Sequence, residues 1–516
     1  MALRAAFLIP ALLLAACQSV APEARAQPAP AENSPAAEAP ELRRYEHAGA
    51  GVFGGERVEY RLVAEDTVLP GADGRPGAWL FSFSYLRTGV SDASGRPVLF
   101  VFNGGPGSAS LWLHMGLFGP RRVRLDDPLN PPATGPFALE DNPHALLDVA
   151  DIVLIDPPGT GFSRVLEGAD PADFYGSTAD AAAIARFIET WIDRHERWNS
   201  PRYLVGESYG TTRAALVARS LLGGPMDPSG RLAGIGIDGA VLMGQAVLSP
   251  DGPLARQVSQ LTAMAATAHY HGKAGAGRPL EAFVDEAGAF ARLQWLPALY
   301  AGDALSRGER RAIAESLAGY TGLPADRIEA ADLRIPMTEF RRALLAGEGL
   351  EIGAYDGRYT VPLAGRPAMA DPVGDDPAMA RYAPAFVAGL NLYLAEAGIA
   401  VEDRYEAIAF RTVNRAWNHD ISPPFIPAGE ALAAAMRTNP DFRLLVATGY
   451  QDLVTTTGSA DYLVAHAGLP AARVTVARYP SGHMPYLGDA SARALAADIR
   501  TLISGGRLAP SRTPQP

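Results

Sequence analysis

The sequence predicts an α/β protein in which a mostly parallel sheet lies between layers of helices. Short runs that are apolar throughout alternate with helical stretches, and several of these runs are followed by Gly, Asp or Asn, as is typical of parallel strands buried on both faces. The alternation stops near Pro250 and resumes near Phe442, which indicates an insertion. Strand–helix alternation of this kind is typical of a layered α/β architecture.

The individual elements follow from local patterns along the chain. Two antiparallel strands are expected at 57–64 and 79–86, joined by a turn region rich in Gly, Pro and Asp. Buried strands are expected at 98–102, 152–155, 203–205, 444–446 and 474–477. A helix is expected over 178–193, because its apolar residues recur at three- and four-residue spacing, and another over 211–222.

We predict six segments along the chain. They are a signal peptide at 1–16, a disordered tether at 17–42, the first part of the sheet domain at 43–250, an inserted, mainly helical cap at 251–435, the second part of the sheet domain at 436–506, and a flexible tail at 507–516. The cap would cover the carboxyl ends of the strands, where ligands bind in open α/β sheets. A separate domain unrelated to the site is the alternative for 251–435.

The first residues have the pattern of a secretory signal. Arg4 precedes an apolar run at 5–14 that is too short to span a bilayer, and small residues follow. Leu14-Ala15-Ala16-Cys17 resembles the bacterial lipobox, which implies that Cys17 is lipidated and anchors an exported protein in the cell envelope. Gln18, rather than Asp, implies the outer membrane facing the periplasm. An ordinary signal peptide is the alternative.

Composition narrows the range of partners. The formal net charge of −11 and the absence of a basic cluster argue against nucleic acid. Cys17 is the only cysteine, so no internal disulfide can form. No sequence cluster of His, Cys and Asp suggests a metal site, and no cofactor is expected. The only membrane contact expected is the lipid anchor, and the sequence gives no prediction of oligomeric state.

The central motif is Gly206-Glu207-Ser208-Tyr209-Gly210, which lies between a predicted strand and a predicted helix. Gly-x-Ser-x-Gly in this context places the serine on a strained turn, where its hydroxyl projects towards substrate. We therefore predict that Ser208 is the nucleophile of a hydrolase. The motif and the predicted sheet together favour the α/β-hydrolase fold.

A serine nucleophile needs a base and an acid that orients the base. In this fold they follow the serine in the order Asp, His, on loops after later strands. Asp452 follows the strand at 444–446, and His483 lies in a loop punctuated by Gly and Pro after the strand at 474–477. Asp461 is the rival acid, but its context is helical. The predicted triad is Ser208, Asp452 and His483.

The oxyanion needs backbone donors, and a glycine-rich turn follows the strand at 98–102. The expected donors are the amide of Gly105 in this turn and the amide of Tyr209, directly after the nucleophile.

Several blocks together resemble the serine carboxypeptidase family, peptidase S10. The resemblance covers Asn103-Gly104-Gly105-Pro106-Gly107-Ser108, Gly119-Pro120, Asp156-Pro157-Pro158-Gly159-Thr160-Gly161-Phe162-Ser163, Gly206-Glu207-Ser208-Tyr209-Gly210, Asp452, and Gly482-His483-Met484. It implies a carboxypeptidase that releases single residues from peptide C-termini. It also implies that Asn103, Gly104 and Glu207 bind the terminal carboxylate of the substrate.

The sequence departs from the family's pattern at one position in this region. Family members place a second glutamate two residues before the Gly-Pro, and Leu117 stands there instead. His114 or Arg121-Arg122 are alternatives for binding the carboxylate. The other interpretation is that His114 is a packed core residue and that the two arginines form a solvated charge pair. An esterase or acyltransferase with the same triad is the second functional hypothesis. A lipoprotein binding module with a vestigial site is the third.

Overall fold

The structure is a computed structural model, and it describes residues 42–225, 227, 230–366, 371–420 and 426–506. The predicted signal peptide, Cys17, the tether up to residue 41 and the tail at 507–516 lie outside the described residues. These predictions therefore stay predictions.

One large sheet organises the chain. Its strands and those of two small hairpins, numbered along the chain, are β1 Arg44–Phe53, β2 Glu56–Pro70, β3 Pro76–Arg87, β4 Val98–Phe102, β5 Arg121–Val123, β6 Leu139–Asp141, β7 Asp151–Ile155, β8 Arg164–Val165, β9 Arg202–Glu207, β10 Gly239–Met243, β11 Leu350–Ile352, β12 Thr360–Pro362, β13 Arg443–Gly449 and β14 Val474–Tyr479.

The large sheet has the strand order β1-β2-β3-β7-β4-β9-β10-β13-β14, with β8 paired to β3. The pairings from β1 to β7 are antiparallel, and every pairing from β7 to β14 is parallel. Hairpins β5-β6 and β11-β12 lie apart from it. Because the strands from β7 to β14 are parallel, their carboxyl ends share one edge, where the loops after β4, β9, β13 and β14 lie.

The helices lie between and around these strands. The α-helices are α1 Leu111–Leu113, α2 Ser177–Arg194, α3 Tyr209–Leu222, α4 Gly252–Ser259, α5 Leu261–Tyr270, α6 Leu280–Phe290, α7 Leu296–Ala301, α8 Arg307–Thr321, α9 Ala325–Ala330, α10 Met337–Ala343, α11 Pro377–Glu396, α12 Ala428–Thr438, α13 Thr457–His466 and α14 Asp489–Ile503. The short π- and 3₁₀-helices are His114–Phe118, Pro171–Asp173, Ala291–Trp295, Gly302–Ala304, Ala346–Glu348, Asn414–Ala416 and Ala471–Arg473.

Two apolar cores cover the two faces of the sheet, because successive strand residues point to opposite sides. In β4, Leu99 and Val101 pack with residues of α11 and α14, whereas Val98, Phe100 and Phe102 pack with residues of α2, α3, α12 and α13. Strands buried on both faces explain the continuous apolar runs in the sequence.

The helices α5–α10 have a third apolar core of their own, which includes Trp295 and Phe340. The predicted insertion at 251–435 also contains α11, which packs in the first core of the sheet, and α12, which packs in the second. Part of this region is thus built into the helix layers of the sheet, and only part forms a separate helical body.

The predicted fold class is confirmed, since the central sheet is mostly parallel and flanked by helices. The predicted strands coincide with β2, β3, β4, β7, β9, β13 and β14, and the predicted helices with α2 and α3. Strands β1 and β10 were not predicted. Within the described ranges, the structure contains no helix with the length and apolar character needed to cross a membrane.

Candidate active site

Ser208 sits on the turn that joins β9 to α3. Its backbone has φ 59° and ψ −128°, a conformation that is strained for a residue with a side chain. The amide of Ser208 donates to the carbonyl oxygen of Met243 at the end of β10, at 2.8 Å. The turn is thereby fixed to the neighbouring strand, and the half-buried Ser208 side chain lies at the carboxyl edge of the sheet.

The glycines around Ser208 are required by close backbone contacts. A methyl group at Gly206 would lie 2.2 Å from the carbonyl oxygen of Gly210, and one at Gly210 would lie 2.8 Å from the carbonyl oxygen of Phe102. A methyl group at Gly104 would lie 2.5 Å from the amide nitrogen of Tyr209. The start of α3 therefore touches the end of β9 and the turn after β4 directly.

His483 and Asp452 lie together at the same edge. Nδ1 of His483 is 2.9 Å from Oδ2 of Asp452, and both side chains are buried. Burial lowers the pKa of His483, but the nearby carboxylates of Asp452 and Glu207 outweigh that effect and raise it overall. Asp461, the rival acid, instead pairs with Arg478 at 2.9 Å.

Further contacts hold the Asp452–His483 pair in place. Oδ1 of Asp452 accepts the amides of Val454 and Thr455 at 2.8 and 2.9 Å, and its Oδ2 accepts the Thr455 hydroxyl at 2.5 Å. The His483 amide donates to the carbonyl oxygen of Tyr355 at 2.6 Å. The Tyr355 ring meets the imidazole edge to face, with centroids 5.3 Å apart. The orientation of the imidazole is thus set from both sides.

The turn after β4 lies against the turn that carries Ser208. Asn103 Nδ2 donates to Oε1 of Glu207 at 2.7 Å, and both side chains are buried. Gly105 has φ +102°, a conformation that glycine adopts without strain. Within the described part of the chain, the amides of Gly104, Gly105 and Tyr209 have no hydrogen-bond acceptor. Of the two amides predicted for the oxyanion hole, that of Gly105 lies in the turn after β4 and that of Tyr209 lies beside this turn.

Glu207 has an unusual environment for a carboxyl group. Burial raises its pKa to about 7, although His483, Tyr486 and Asn103 each act in the opposite direction. Among the described residues, Oε2 of Glu207 is buried without a well-formed hydrogen bond. A carboxyl group that is protonated near neutral pH can donate a hydrogen bond to an anion.

The alternative carboxylate-binding residues lie elsewhere. His114 is buried against Tyr85, with Nε2 2.6 Å from the hydroxyl, and burial lowers the pKa of the imidazole to about 3. Arg121 pairs with Asp141, and Arg122 pairs with Glu140 at 2.7 Å. Each therefore has an ordinary structural role. Leu117 is fully buried in the apolar core beside the sheet.

A cavity of about 220 Å³ joins these residues. It is lined by the predicted residues Asn103, Gly104, Gly105, Glu207, Ser208 and His483, together with Pro106, Ser108, Trp112, Tyr355, Pro372, Val373, Met379, Tyr382, Ile408, Phe410, Asn414 and Met484. The structure thus brings the predicted serine, histidine, turn and glutamate to one cavity, with Asp452 behind the histidine.

Residues 405–418, here called the rim segment, form one wall of this cavity. The Ala409 amide donates to the carbonyl oxygen of Gly107 at 2.7 Å, and Asn414 Nδ2 donates to that of Pro106 at 2.9 Å. Ile408 and Phe410 of this segment line the cavity. Sequence reasoning missed the rim segment because it has no periodic pattern, and its position depends on contacts with distant loops.

Several other residues at the site were also missed. Thr455 and Tyr355 contact the Asp452–His483 pair, Tyr486 lies beside Glu207, and Arg213 reaches the turn after β4. Thr455 could have been noticed from its place three residues after Asp452 in the same loop. The others come from separate elements, and no local signal identifies them.

Comparisons with known proteins show a likeness to one family. Residues 80–267 match the family model of the serine carboxypeptidases, peptidase S10. A curated relative, serine carboxypeptidase-like 36 of Arabidopsis thaliana, is 26% identical over 144 residues. Those residues are 28% of this chain and span only 28% of the relative's length. The resemblance found from the motifs is therefore confirmed.

Solved structures are similar to this chain over most of its length. Kex1(delta)p, a prohormone-processing carboxypeptidase from Saccharomyces cerevisiae, aligns with a TM-score of 0.52 at 13% identity, covering 86% of this chain and 91% of that one. Homoserine O-acetyltransferase from Bacillus anthracis aligns with a TM-score of 0.36 at 12% identity, covering 90% and 97%. At 13% identity, the first likeness supports the fold alone.

Proposed function

We propose that the chain is a serine-type carboxypeptidase acting on peptides with a free C-terminus, because residues 80–267 match the serine carboxypeptidase family model. One observation carries the proposal. Beside Ser208, the buried Glu207 carboxyl is held by Asn103 at 2.7 Å and keeps Oε2 without a well-formed hydrogen bond among the described residues. A protonated acid and an amide that line the same cavity can both donate to a terminal carboxylate.

The triad supports acyl transfer. Oγ of Ser208 attacks the carbonyl carbon of the terminal peptide bond, while His483 accepts the hydroxyl proton. The amides of Gly105 and Tyr209 stabilise the oxyanion, and Asp452 holds the imidazole through the 2.9 Å contact. His483 then passes the proton to the leaving amine, which departs as the free terminal residue. Water, activated by His483, hydrolyses the acyl-enzyme and restores Ser208.

The activity can be tested with one pair of peptides that differ only at the C-terminus. We expect the free-acid peptide to be cleaved at least about tenfold faster than its amidated form, since only the free acid offers a carboxylate to Glu207 and Asn103. Ser208→Ala should abolish cleavage and covalent labelling by a fluorophosphonate probe. Labelling that persists in Ser208→Ala would exclude Ser208 as the nucleophile.

An esterase or acyltransferase is the second candidate, and Leu117 is the observation that favours it. The family's second carboxyl is replaced by a fully buried apolar side chain, so Glu207 lacks an acidic partner at that position. Equal rates on the free and amidated peptides, with faster turnover of simple esters, would support this candidate. A chain that is never labelled by the probe would support a binding module instead.

We further propose that the chain is exported and anchored through lipid on Cys17, on the pattern Leu14-Ala15-Ala16-Cys17. Metabolic labelling with a radioactive fatty acid tests this in a bacterial host. We expect label in the wild-type chain and none in Cys17→Ser. An unlabelled wild-type chain recovered in the soluble envelope fraction would contradict the anchor and favour an ordinary signal peptide.

A further inference from the structure

A buried ion pair lies directly beneath the active-site turn. Nε of Arg213, on α3, is 2.7 Å from Oδ2 of Asp180, on α2, and both side chains are 0% exposed. Removing two charges from water is costly, and a buried ion pair often stabilises a fold no better than apolar residues of the same size. The position of this pair therefore calls for an explanation in terms of the site above it.

Arg213 makes a second contact that reaches the site. One of its terminal nitrogens donates a hydrogen bond to the carbonyl oxygen of Asn103. The guanidinium carbon lies 5.6 Å from the ring centroid of Phe102 and 5.2 Å from that of Tyr209. The cation is thus enclosed by the end of β4 and by the residue that follows the nucleophile.

The carbonyl group of Asn103 and the amide of Gly104 belong to one peptide group. A trans peptide group is planar, so its C=O and N–H point in opposite directions. A cation that holds the carbonyl from below therefore fixes the direction of the Gly104 N–H. It also polarises this N–H, because hydrogen bonds in series strengthen one another. Gly104 lines the cavity together with Glu207.

The ion pair leaves one hydrogen-bonding atom of each side chain unused. Oδ1 of Asp180 and one terminal nitrogen of Arg213 are buried without a hydrogen bond among the described residues. A pair optimised for stability alone would use these atoms. The contact that Arg213 does complete is the one to the turn.

We propose that Arg213, held by Asp180, is a positioning residue for recognition of the substrate's terminal carboxylate through the Gly104 amide. This inference rests on the proposed carboxypeptidase function. Arg213 touches neither the substrate nor the reacting atoms. It sets the orientation and donor strength of one peptide group, and that group contacts the carboxylate.

The test compares variants that keep or remove the buried charges. Arg213→Lys keeps a cation but loses the planar fork that contacts Asp180 and Asn103 together. The double variant Asp180→Leu with Arg213→Met removes both charges, so neither is left unpaired. The control is Arg197→Met, which removes a buried cation at the other end of the sheet's parallel strands and leaves its partner Asp151 paired with Arg96. Fluorophosphonate labelling of Ser208 checks that each variant is folded with an intact nucleophile.

Each variant is assayed on the free-acid peptide and on its amidated form. We expect the double variant to raise KM for the free-acid peptide about tenfold or more, with a smaller change in kcat and little change on the amidated peptide. Arg213→Lys should lie between it and the wild type, and Arg197→Met should keep the wild-type preference.

Two outcomes would contradict this inference alone, and a third would also contradict the proposed function. An equal loss on both peptides would mean that the pair only supports the fold, and an unchanged preference would mean that it does not act on the Gly104 amide. If the wild-type chain itself does not prefer the free acid, the proposed function fails together with this inference.

Discussion

The raised pKa of the Glu207 carboxyl predicts how kcat/KM depends on pH. Burial raises the pKa of its carboxyl to about 7, so it is protonated in acid and loses its proton as the pH rises through that value. A protonated carboxyl donates to the substrate carboxylate, whereas an ionised one repels it. We therefore expect kcat/KM on free-acid peptides to fall above about pH 7.

The Glu207→Gln variant separates this effect from the titration of His483. A neutral amide donates at every pH, so the variant should keep much of its activity and lose the fall on the alkaline side. The fall on the acid side, where His483 is protonated, should remain. Profiles of kcat/KM between about pH 4 and about pH 9 measure both limbs. An alkaline limb unchanged in Glu207→Gln would contradict the assigned role.

Asp452 offers a second prediction at this scale. It accepts hydrogen bonds from His483, Thr455 and Val454, so it both orients the imidazole and favours its charged form. Asp452→Asn should leave the fold intact and lower kcat by about 10⁴-fold, the size seen when a triad histidine is left in the wrong tautomer. Thermal unfolding and kcat, measured on the same preparation, check both parts. A loss below about tenfold would point to another acid.

Among the structural elements, the junction of β9 and α3 depends on the absence of side chains at its glycines. A methyl group at Gly206 would lie 2.2 Å from the carbonyl oxygen of Gly210, and backbone atoms cannot move aside without displacing α3. Gly206→Ala should therefore lower the free energy of unfolding by about 1–3 kcal/mol, the usual cost of overpacking. The midpoint of urea unfolding measures this loss.

The matched control for that variant is Gly95→Ala. Gly95 lies in an exposed loop, a methyl group there would have no atom within 4 Å, and its backbone is not in the left-handed region. We expect a change in the free energy of unfolding within about 0.5 kcal/mol, as for most surface substitutions. Equal losses in the two variants would contradict the argument from close contacts at Gly206.

Those elements also explain which features the sequence could predict. Ser208, Asp452 and His483 each lie in the loop or turn just after a strand, so chain-local patterns identify them and their order. Strand β10 was missed although its five buried residues match the pattern of the strands that were predicted, and β1 was missed because its residues alternate between exposed and half-buried positions without a long apolar run. Arg213 and Asp180 are 33 positions apart, and their contact exists only once α2 and α3 have packed together.

The whole molecule brings three separate parts of the chain to the substrate cavity. The turn after β4 supplies the glycines and helix α1 supplies Trp112, the inserted region supplies Met379, Tyr382 and Phe410, and the loop after β14 supplies His483. Only the first and last of these carry motifs. The chemistry is therefore readable from the motifs, whereas the walls that select a substrate come from the region where the sequence has none.

Those walls predict which substrate side chains are accepted. The cavity lining contains apolar and aromatic residues, and its charged groups, among the described residues, are Glu207 and His483 of the site itself. A charged side chain in this cavity would lose its water without gaining a partner. Peptides with Leu or Phe at the two C-terminal positions should therefore show kcat/KM at least about tenfold above those with Asp or Lys there.

Phe410 provides the variant that ties this preference to the cavity wall. This residue lines the cavity and is 39% exposed, so truncation should disturb the fold little while it removes an apolar contact with substrate. Phe410→Ala should lower kcat/KM for peptides ending in Leu or Phe and leave the slow peptides ending in Asp or Lys nearly unchanged, because the latter never gain that contact. A library of peptides varied at the last two positions measures both in one experiment. Rapid cleavage of peptides ending in Asp or Lys by the wild-type chain would contradict the predicted apolar preference. An equal loss of kcat/KM for all peptides in Phe410→Ala would show that Phe410 does not determine specificity.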